Sequence, residues 1–221
     1  MTTSSNLIEY FDGLSKTYIT NEYASLFVTN YMRRKLIKKV ESFENKSVLD
    51  IMSGKGENLK YIDQQNNTSI TTVDFATQMN KAALLNYKTK TIHQIESDFF
   101  EINHKPESYD IILCSFGIKT IKSEQLSVFV EKINHLLKPN GEVLLLELVK
   151  PKNYLNLKFI KFYLDVFVSN MFGKQFKALF PYINNHKNMN RLKSNLINTK
   201  ISVIEHQRVF DLFEIIHAKK L

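Results

Sequence analysis

Three aspartates standing at the ends of apolar runs are the residues best placed to do chemistry. They are Asp50 in "VLDIMSGKGENL", Asp74 in "TTVDF" and Asp98 in "ESDFF". After Asp50, Met52 and Ser53 lead into Gly54-Lys55-Gly56-Glu57. Two glycines let the backbone turn sharply and a ligand approach closely, and a helix N-terminus is expected to follow. By itself such a loop is a weak signal, since some loops of this kind are merely tight strand-to-helix turns. Asp74, 24 residues beyond Asp50, sharpens the reading, because an acid there can accept hydrogen bonds from both hydroxyls of a ribose. Asp98 could accept from an adenine amino group with Phe99 against the ring, or could simply cap a turn. Together the acids and the glycine loop point to a nucleoside-containing ligand.

These residues need a scaffold that delivers strand ends to one edge. From Ser47 onward, short β-branched runs ("SVLDIM", "SITTVDF", "TIHQIESDF", "YDIILCSF", "GEVLLLELV") alternate with helical patterns ("GENLKYIDQQ", "ATQMNKAALLNYK", "SEQLSVFVEKINHLLK"). The last of these runs into Lys-Pro-Asn-Gly, a helix stop and turn. Near-continuous apolar strands alternating with helices predict an α/β fold: a Rossmann-like, mostly parallel seven-stranded sheet covered on both faces. "ISVIEHQRV" and "LFEIIHAKK" close the chain as two tightly joined strands, the last antiparallel. One domain is expected over 1–221, with a helical N-terminal lid (1–45), a ligand-binding core (46–151), a helical insertion (152–198) and closing strands (199–221).

Composition narrows the class. A chain of 221 residues, 43% hydrophobic and 24% charged, suffices for one buried core. Its single cysteine, Cys114, excludes an internal disulfide framework and a cysteine-built zinc site, and no Asp/His cluster suggests a metal. Cys114 sits inside a strand pattern and reads as a small buried residue. His206 and His217 fall in the closing strands and read as structural. The N-terminus lacks the pattern of a signal peptide and no apolar run is long enough to span a bilayer, so a cytoplasmic protein is expected. The net charge of +8 is concentrated: residues 151–200 hold nine Lys/Arg against one acid, Asp165. That asymmetry fits either an anionic partner or a solvated lysine-rich face.

The ordered blocks "VLDIMSGKGENL", "VDFATQMNKAA", "SDFF", "YDIILCSFGIKTI" and "LKPNGEVLLLELVKP" resemble the class I S-adenosylmethionine-dependent methyltransferases, and within them the ubiquinone/menaquinone C-methyltransferases. "SFGIKTI" is similar to that branch's Ser-Phe-Gly-Ile-Arg-Asn-Val block, and "YFDGLSKTY" to its N-terminal opening. The resemblance spans residues 8–151 and extends beyond only in layout. It implies S-adenosyl-L-methionine as cofactor, with Tyr18, Asp50, Met52, Ser53, Gly54 and Gly56 on its methionine and ribose side. Asp74 would hold the ribose, Phe75 and Met79 would flank the adenine, and Asp98 with Phe99 would cap the base. Ser115 and Phe116 would border the methyl group, with Gly117 and Lys119 towards the substrate. Lys119-Thr120 stands where the branch carries Arg-Asn, Ile19 where it carries Asp, and its C-terminal signature is not recognisable. The cofactor is therefore more firmly implied than the quinone.

A small, largely apolar or aromatic acceptor is the expectation, quinone-like or prenylated molecules included, with methylation at carbon favoured over oxygen or nitrogen. A DNA acceptor is not expected, since no Asn-Pro-Pro-Tyr-type loop follows the fourth strand. RNA is suggested only by the basic 151–200 segment, and a non-catalytic cofactor-binding protein is the remaining alternative. His186 is a candidate substrate-side base, or an exposed loop histidine. The aromatic-rich stretch 153–180 must cover an apolar face: as a lid, against a membrane-held substrate at a lipid surface, or against a second subunit in a homodimer.

Overall fold

The structure, a computed structural model, describes residues 28–62, 68–87, 91–172, 179–185 and 189–221. Tyr18 and His186 lie outside the described residues, as does most of the N-terminal lid segment. Seven strands form one sheet: β1 (Ser47–Ile51), β2 (Ser69–Asp74), β3 (Ile92–Glu96), β4 (Tyr109–Ser115), β5 (Leu137–Leu148), β6 (Ile201–Val209) and β7 (Phe213–Lys220). Their order is β3-β2-β1-β4-β5-β7-β6. The first five are parallel, and β7 lies antiparallel between β5 and β6. The mostly parallel seven-stranded sheet with an antiparallel last strand is thus the architecture found. The chain steps outward from β1 through β2 to β3, then returns to pair β4 on the other side of β1. That reversal opens a crevice beyond the carboxyl ends of β1 and β4, where ligands bind in open α/β sheets.

The strands are apolar along their whole length because both faces are covered. On one face, Leu49, Ile51, Ile112, Cys114 and Leu145 pack with α3 (Leu126–Leu136) and α6 (Met189–Asn198), through Phe129, Ile133 and Leu192. On the other, Val48, Ile70, Ile111, Leu113 and Leu146 pack with α1 (Val28–Ile37) through Met32, Leu36 and Ile37. The helix α2 (Thr77–Asn86) follows β2 and is tied to β3 by Gln94 Nε2 donating to the Asn80 carbonyl at 3.0 Å.

Two local expectations change. "GENLKYIDQQ" forms only a 3-10 turn over Glu57–Lys60, within the described residues. The Lys-Pro-Asn-Gly turn ends α3 at Leu136, but its residues belong to β5 as a bulge. Tyr109 pairs with Leu137, while Ile111 already pairs with Glu142, so residues 138–141 bow outward with Asn140 at φ 61°. Asparagine tolerates this left-handed geometry better than most side chains. The two closing-strand histidines are structural: His206 Nε2 meets Glu214 Oε2 at 2.9 Å and His217 Nε2 meets Glu142 Oε2 at 2.7 Å.

After β5 the insertion runs as α4 (Tyr154–Phe162), a π-helical turn (Tyr163–Val168) and a short helical end (Ser169–Phe172), with α5 (Leu179–Asn185) beyond. Asn153 caps α4 by accepting from the backbone N–H of Leu155 at 2.8 Å. Leu164, Val168 and Ile183 form a small core with Leu148 and Leu212, fastening the insertion to the end of β5.

Candidate active site

Asp50 is the centre of the crevice. The final residues of β1 are wholly buried, so its carboxyl is removed from water. Oδ1 accepts from Asn58 Nδ2 at 2.8 Å, and Oδ2 has no hydrogen-bond partner among the described residues. Burial pushes Asp50 up to about 7, against the Asn58 hydrogen bond and the Arg33 charge, which pull it down. Asn58 also reaches across to β4, where Ser115 Oγ donates to its Oδ1 at 2.9 Å. One amide therefore joins the ends of the two strands that flank the switch point.

The loop after β1 turns through three left-handed residues, Met52 (φ 53°), Gly54 (φ 56°) and Gly56 (φ 74°). Its shape is pinned by backbone bonds from Ser53 N to the Val73 carbonyl (3.1 Å) and from Gly56 N to the Ser53 carbonyl (2.9 Å). Asp74, ending β2, closes the loop: Oδ2 accepts from Gly54 N at 2.8 Å and Oδ1 from Ala76 N at 2.9 Å. The aspartate thus fixes the glycine loop to the start of α2, while Asn80 Nδ2 donates to its carbonyl at 2.9 Å. Phe75 is half-buried beside it, and Met79, in the first turn of α2, is buried.

Met52 turns its side chain towards β4. A Cβ added to Gly117 would stand 2.6 Å from Met52 Sδ, so Gly117 is the space that accommodates the methionine. The two strand-end loops therefore interlock. Phe116 sits next to this contact at φ 64°, held by its N–H donating to the Leu146 carbonyl at 2.7 Å. The Arg33 guanidinium of α1 lies 4.7 Å from the Phe116 ring centroid, and its Nη2 is 3.8 Å from Glu57 Oε2. Burial pushes Glu57 up to about 8 and lowers Lys55 to about 8. Asp50, Glu57 and Asp74 make this end of the crevice a concentration of carboxyls.

Asp98 follows β3 and is half-buried; its Oδ1 accepts from Phe100 N at 2.9 Å, the turn-capping role. Two expected site residues are elsewhere. Phe99 is 2% exposed and packs edge-on against Phe129 of α3, with ring centroids 5.4 Å apart. Its large apolar ring is driven into the core rather than left at the strand-end surface. Lys119 is turned inward: Nζ donates to the Phe116 carbonyl and to Glu147 Oε1 at 3.3 Å, and its backbone N–H donates to Glu147 Oε2 at 2.9 Å. Glu147 is completely buried, so the lysine supplies the charge that a buried carboxylate requires. Cys114 is buried, and burial with the nearby Glu147 and Asp50 charges raises its thiol, in keeping with an inert core residue.

Arg33, Glu57, Asn58 and Glu147 contact the strand-end loops of the candidate site and were passed over by the spacing argument. Only Glu147 carried a signal of its own, an acid inside the apolar run "LLLELV". Among the described residues no group of three His, Cys, Asp or Glu is placed to hold a metal ion.

The site suits S-adenosylmethionine on its own evidence. A buried Asp50 carboxyl oxygen with no hydrogen-bond partner among the described residues stands beside a loop in which Gly54 presents backbone without a side chain, and further carboxyls surround it. A cationic amino acid joined to a nucleoside answers these features. The sheet order and strand-end loops are those of the Rossmann-like methyltransferase fold. Residues 48–141 match the methyltransferase-domain family. A demethylmenaquinone methyltransferase of Chlamydia caviae is 29% identical over 154 residues, 69% of this chain and 65% of that one. The ubiquinone/menaquinone biosynthesis C-methyltransferase of Geotalea daltonii is 28% identical over 163 residues, 70% of this chain and 68% of that one. A solved S-adenosylmethionine-dependent methyltransferase from Aquifex aeolicus shares the fold at TM-score 0.61 and 17% identity, over 86% of this chain and 89% of that one. The chain spans 61% and 65% of the first two curated relatives it matches.

Proposed function

We propose that this protein transfers the methyl group of S-adenosylmethionine to a small, largely apolar or aromatic acceptor, with an electron-rich ring carbon as the favoured receiving atom. The single observation that carries the reading is the buried Asp50 carboxyl, one oxygen of which has no partner among the described residues, beside the left-handed Gly54 and Gly56. The bound cofactor supplies an electrophilic methyl on a sulfonium, so the reaction is an in-line displacement. The chain's part is positioning and exclusion of water. Asp50 and Glu57 offset positive charge, Asp74 holds the glycine loop and offers its carboxylate to the ribose, and Asn58 keeps the β1 and β4 ends in register. Ser115, Phe116 and Gly117 border the acceptor side. Phe116 favours an apolar ring there, and resemblance to quinone methyltransferases supports a quinone-like or prenylated acceptor. Lys119, tied to Glu147, shapes this wall instead of meeting substrate. The working environment we propose is the cytoplasm, with no DNA acceptor.

The test is transfer of radiolabelled methyl to a panel of reduced prenyl naphthoquinones lacking the ring methyl, to simple phenols, and to RNA. A carbon-methylated ring product is expected. Label found only in a phenol ether or in RNA, with none in the ring acceptors, would overturn the acceptor reading. No transfer to any acceptor, with cofactor still bound, would favour a non-catalytic cofactor-binding protein.

A further inference from the structure

The insertion helix is apolar on two opposite sides, and among the described residues only one is packed against the body of the protein. Leu164 and Val168 face the body of the protein with Ile160, meeting Leu148, Ile183 and Leu212. On the other side, Leu155, Phe159, Phe162 and Val166 recur at spacings of four, three and four, and are 41–71% exposed. Phe167, 57% exposed, extends this surface and stacks on Tyr163 with ring centroids 6.0 Å apart. So long an exposed apolar stripe on a charged helix marks an interaction surface.

Charge decides what covers it. Lys152, Lys158 and Lys161 are exposed along the same segment, and its one acid, Asp165, is paired with Lys161 at 3.1 Å. Lys158 lies 4.6 Å from the Tyr154 ring centroid, its stem folded along the aromatic surface. A two-fold contact between copies would place these lysines against their own equivalents. An anionic lipid surface would instead attract each of them while taking up the aromatic stripe. We propose that Tyr154–Phe162 and the π-helical turn after it form an interfacial anchor that seats the protein on an anionic membrane surface. No helix among the described residues is long and apolar enough to cross a membrane, so the contact is peripheral. The anchor grows directly from the end of β5, next to Glu147, which brings a lipid surface to the acceptor side of the sheet. It stands independently of which atom accepts the methyl group.

The test is co-sedimentation of the full chain with phosphatidylcholine vesicles, with and without phosphatidylglycerol. Partition into the phosphatidylglycerol vesicles is expected, weakened by salt, and about tenfold weaker for Phe159→Gln/Phe162→Gln and for Lys158→Gln/Lys161→Gln. These positions are exposed, and unchanged melting curves would verify that both variants fold. No partition, or partition unaltered by the phenylalanine pair, would overturn the proposal. A parent dimer in sedimentation velocity that the phenylalanine pair converts to monomer would also overturn it, assigning the stripe to a second copy.

Discussion

Asp50 and Glu57 hold their protons at pH values where exposed carboxyls have lost them, because burial raises them to about 7 and about 8. Between the ordinary carboxylate range and these values the folded state binds more protons than the unfolded chain. Stability should therefore fall as pH rises through that window and level off above it. The melting temperature of the cofactor-free protein is expected to drop from about pH 5 to about pH 8, less steeply in Asp50→Asn. Equal slopes for the two proteins would contradict the assignment. A cationic ligand favours the ionised carboxyls, so binding near neutrality should release protons. Calorimetry in buffers of different ionisation enthalpy is expected to detect that release, and to find less of it in Asp50→Asn. At this scale the sequence was readable where chemistry fixes spacing: Asp50, Gly54, Gly56 and Asp74 each meet a backbone or charge requirement. Asn58 and Arg33 were not readable, because their partners are brought to them only by tertiary packing.

The strand-end loops work as a joined pair. Gly117 has an ordinary backbone conformation (φ −98°), so its need for a missing side chain is steric and comes chiefly from Met52, with Cys114 Sγ 3.2 Å from the position of an added Cβ. Gly117→Ala should cost about 1–3 kcal/mol of stability in urea unfolding, and Met52→Gly/Gly117→Ala, which removes the Met52 Cβ as well as its Sδ, should recover part of that loss. Strictly additive costs would show that the loops do not interlock. The methionine in the glycine loop, awkward in isolation, is explained by this contact. A second coupling joins β5 to the turn after β4. Lys119→Met or Glu147→Gln alone leaves a buried charge without its partner and should cost about 3–5 kcal/mol, while the double variant should cost less than the sum. The resemblance to quinone enzymes placed Lys119 towards substrate. What it could not reveal was Glu147 buried within reach, which claims the lysine first. Phe99 followed the same course: its position after β3 was legible, but the pull of Phe129 into the core was not.

Across the whole molecule, the alternation of apolar runs and helical patterns made the parallel sheet legible, and the tightly spaced closing runs made its antiparallel end legible. The strand order was beyond periodicity, since it depends on which side of β1 the chain returns to after β3. The insertion was visible as an aromatic-rich segment, but its two apolar sides separate only once the body of the protein occupies one of them. The residues ending β1, β2 and β4 meet in one crevice because the strand order reverses between β1 and β4, and the account rests on that crevice being the cofactor site. Isothermal titration of the parent chain and Asp74→Ala with S-adenosylmethionine tests this most directly, with both proteins held well below their melting temperatures. The parent should bind with one site per chain, and Asp74→Ala should bind at least about tenfold more weakly, through loss of a charge-assisted acceptor and of the clamp on the glycine loop. No heat of binding in the folded parent, or equal affinity in the folded variant, would contradict it.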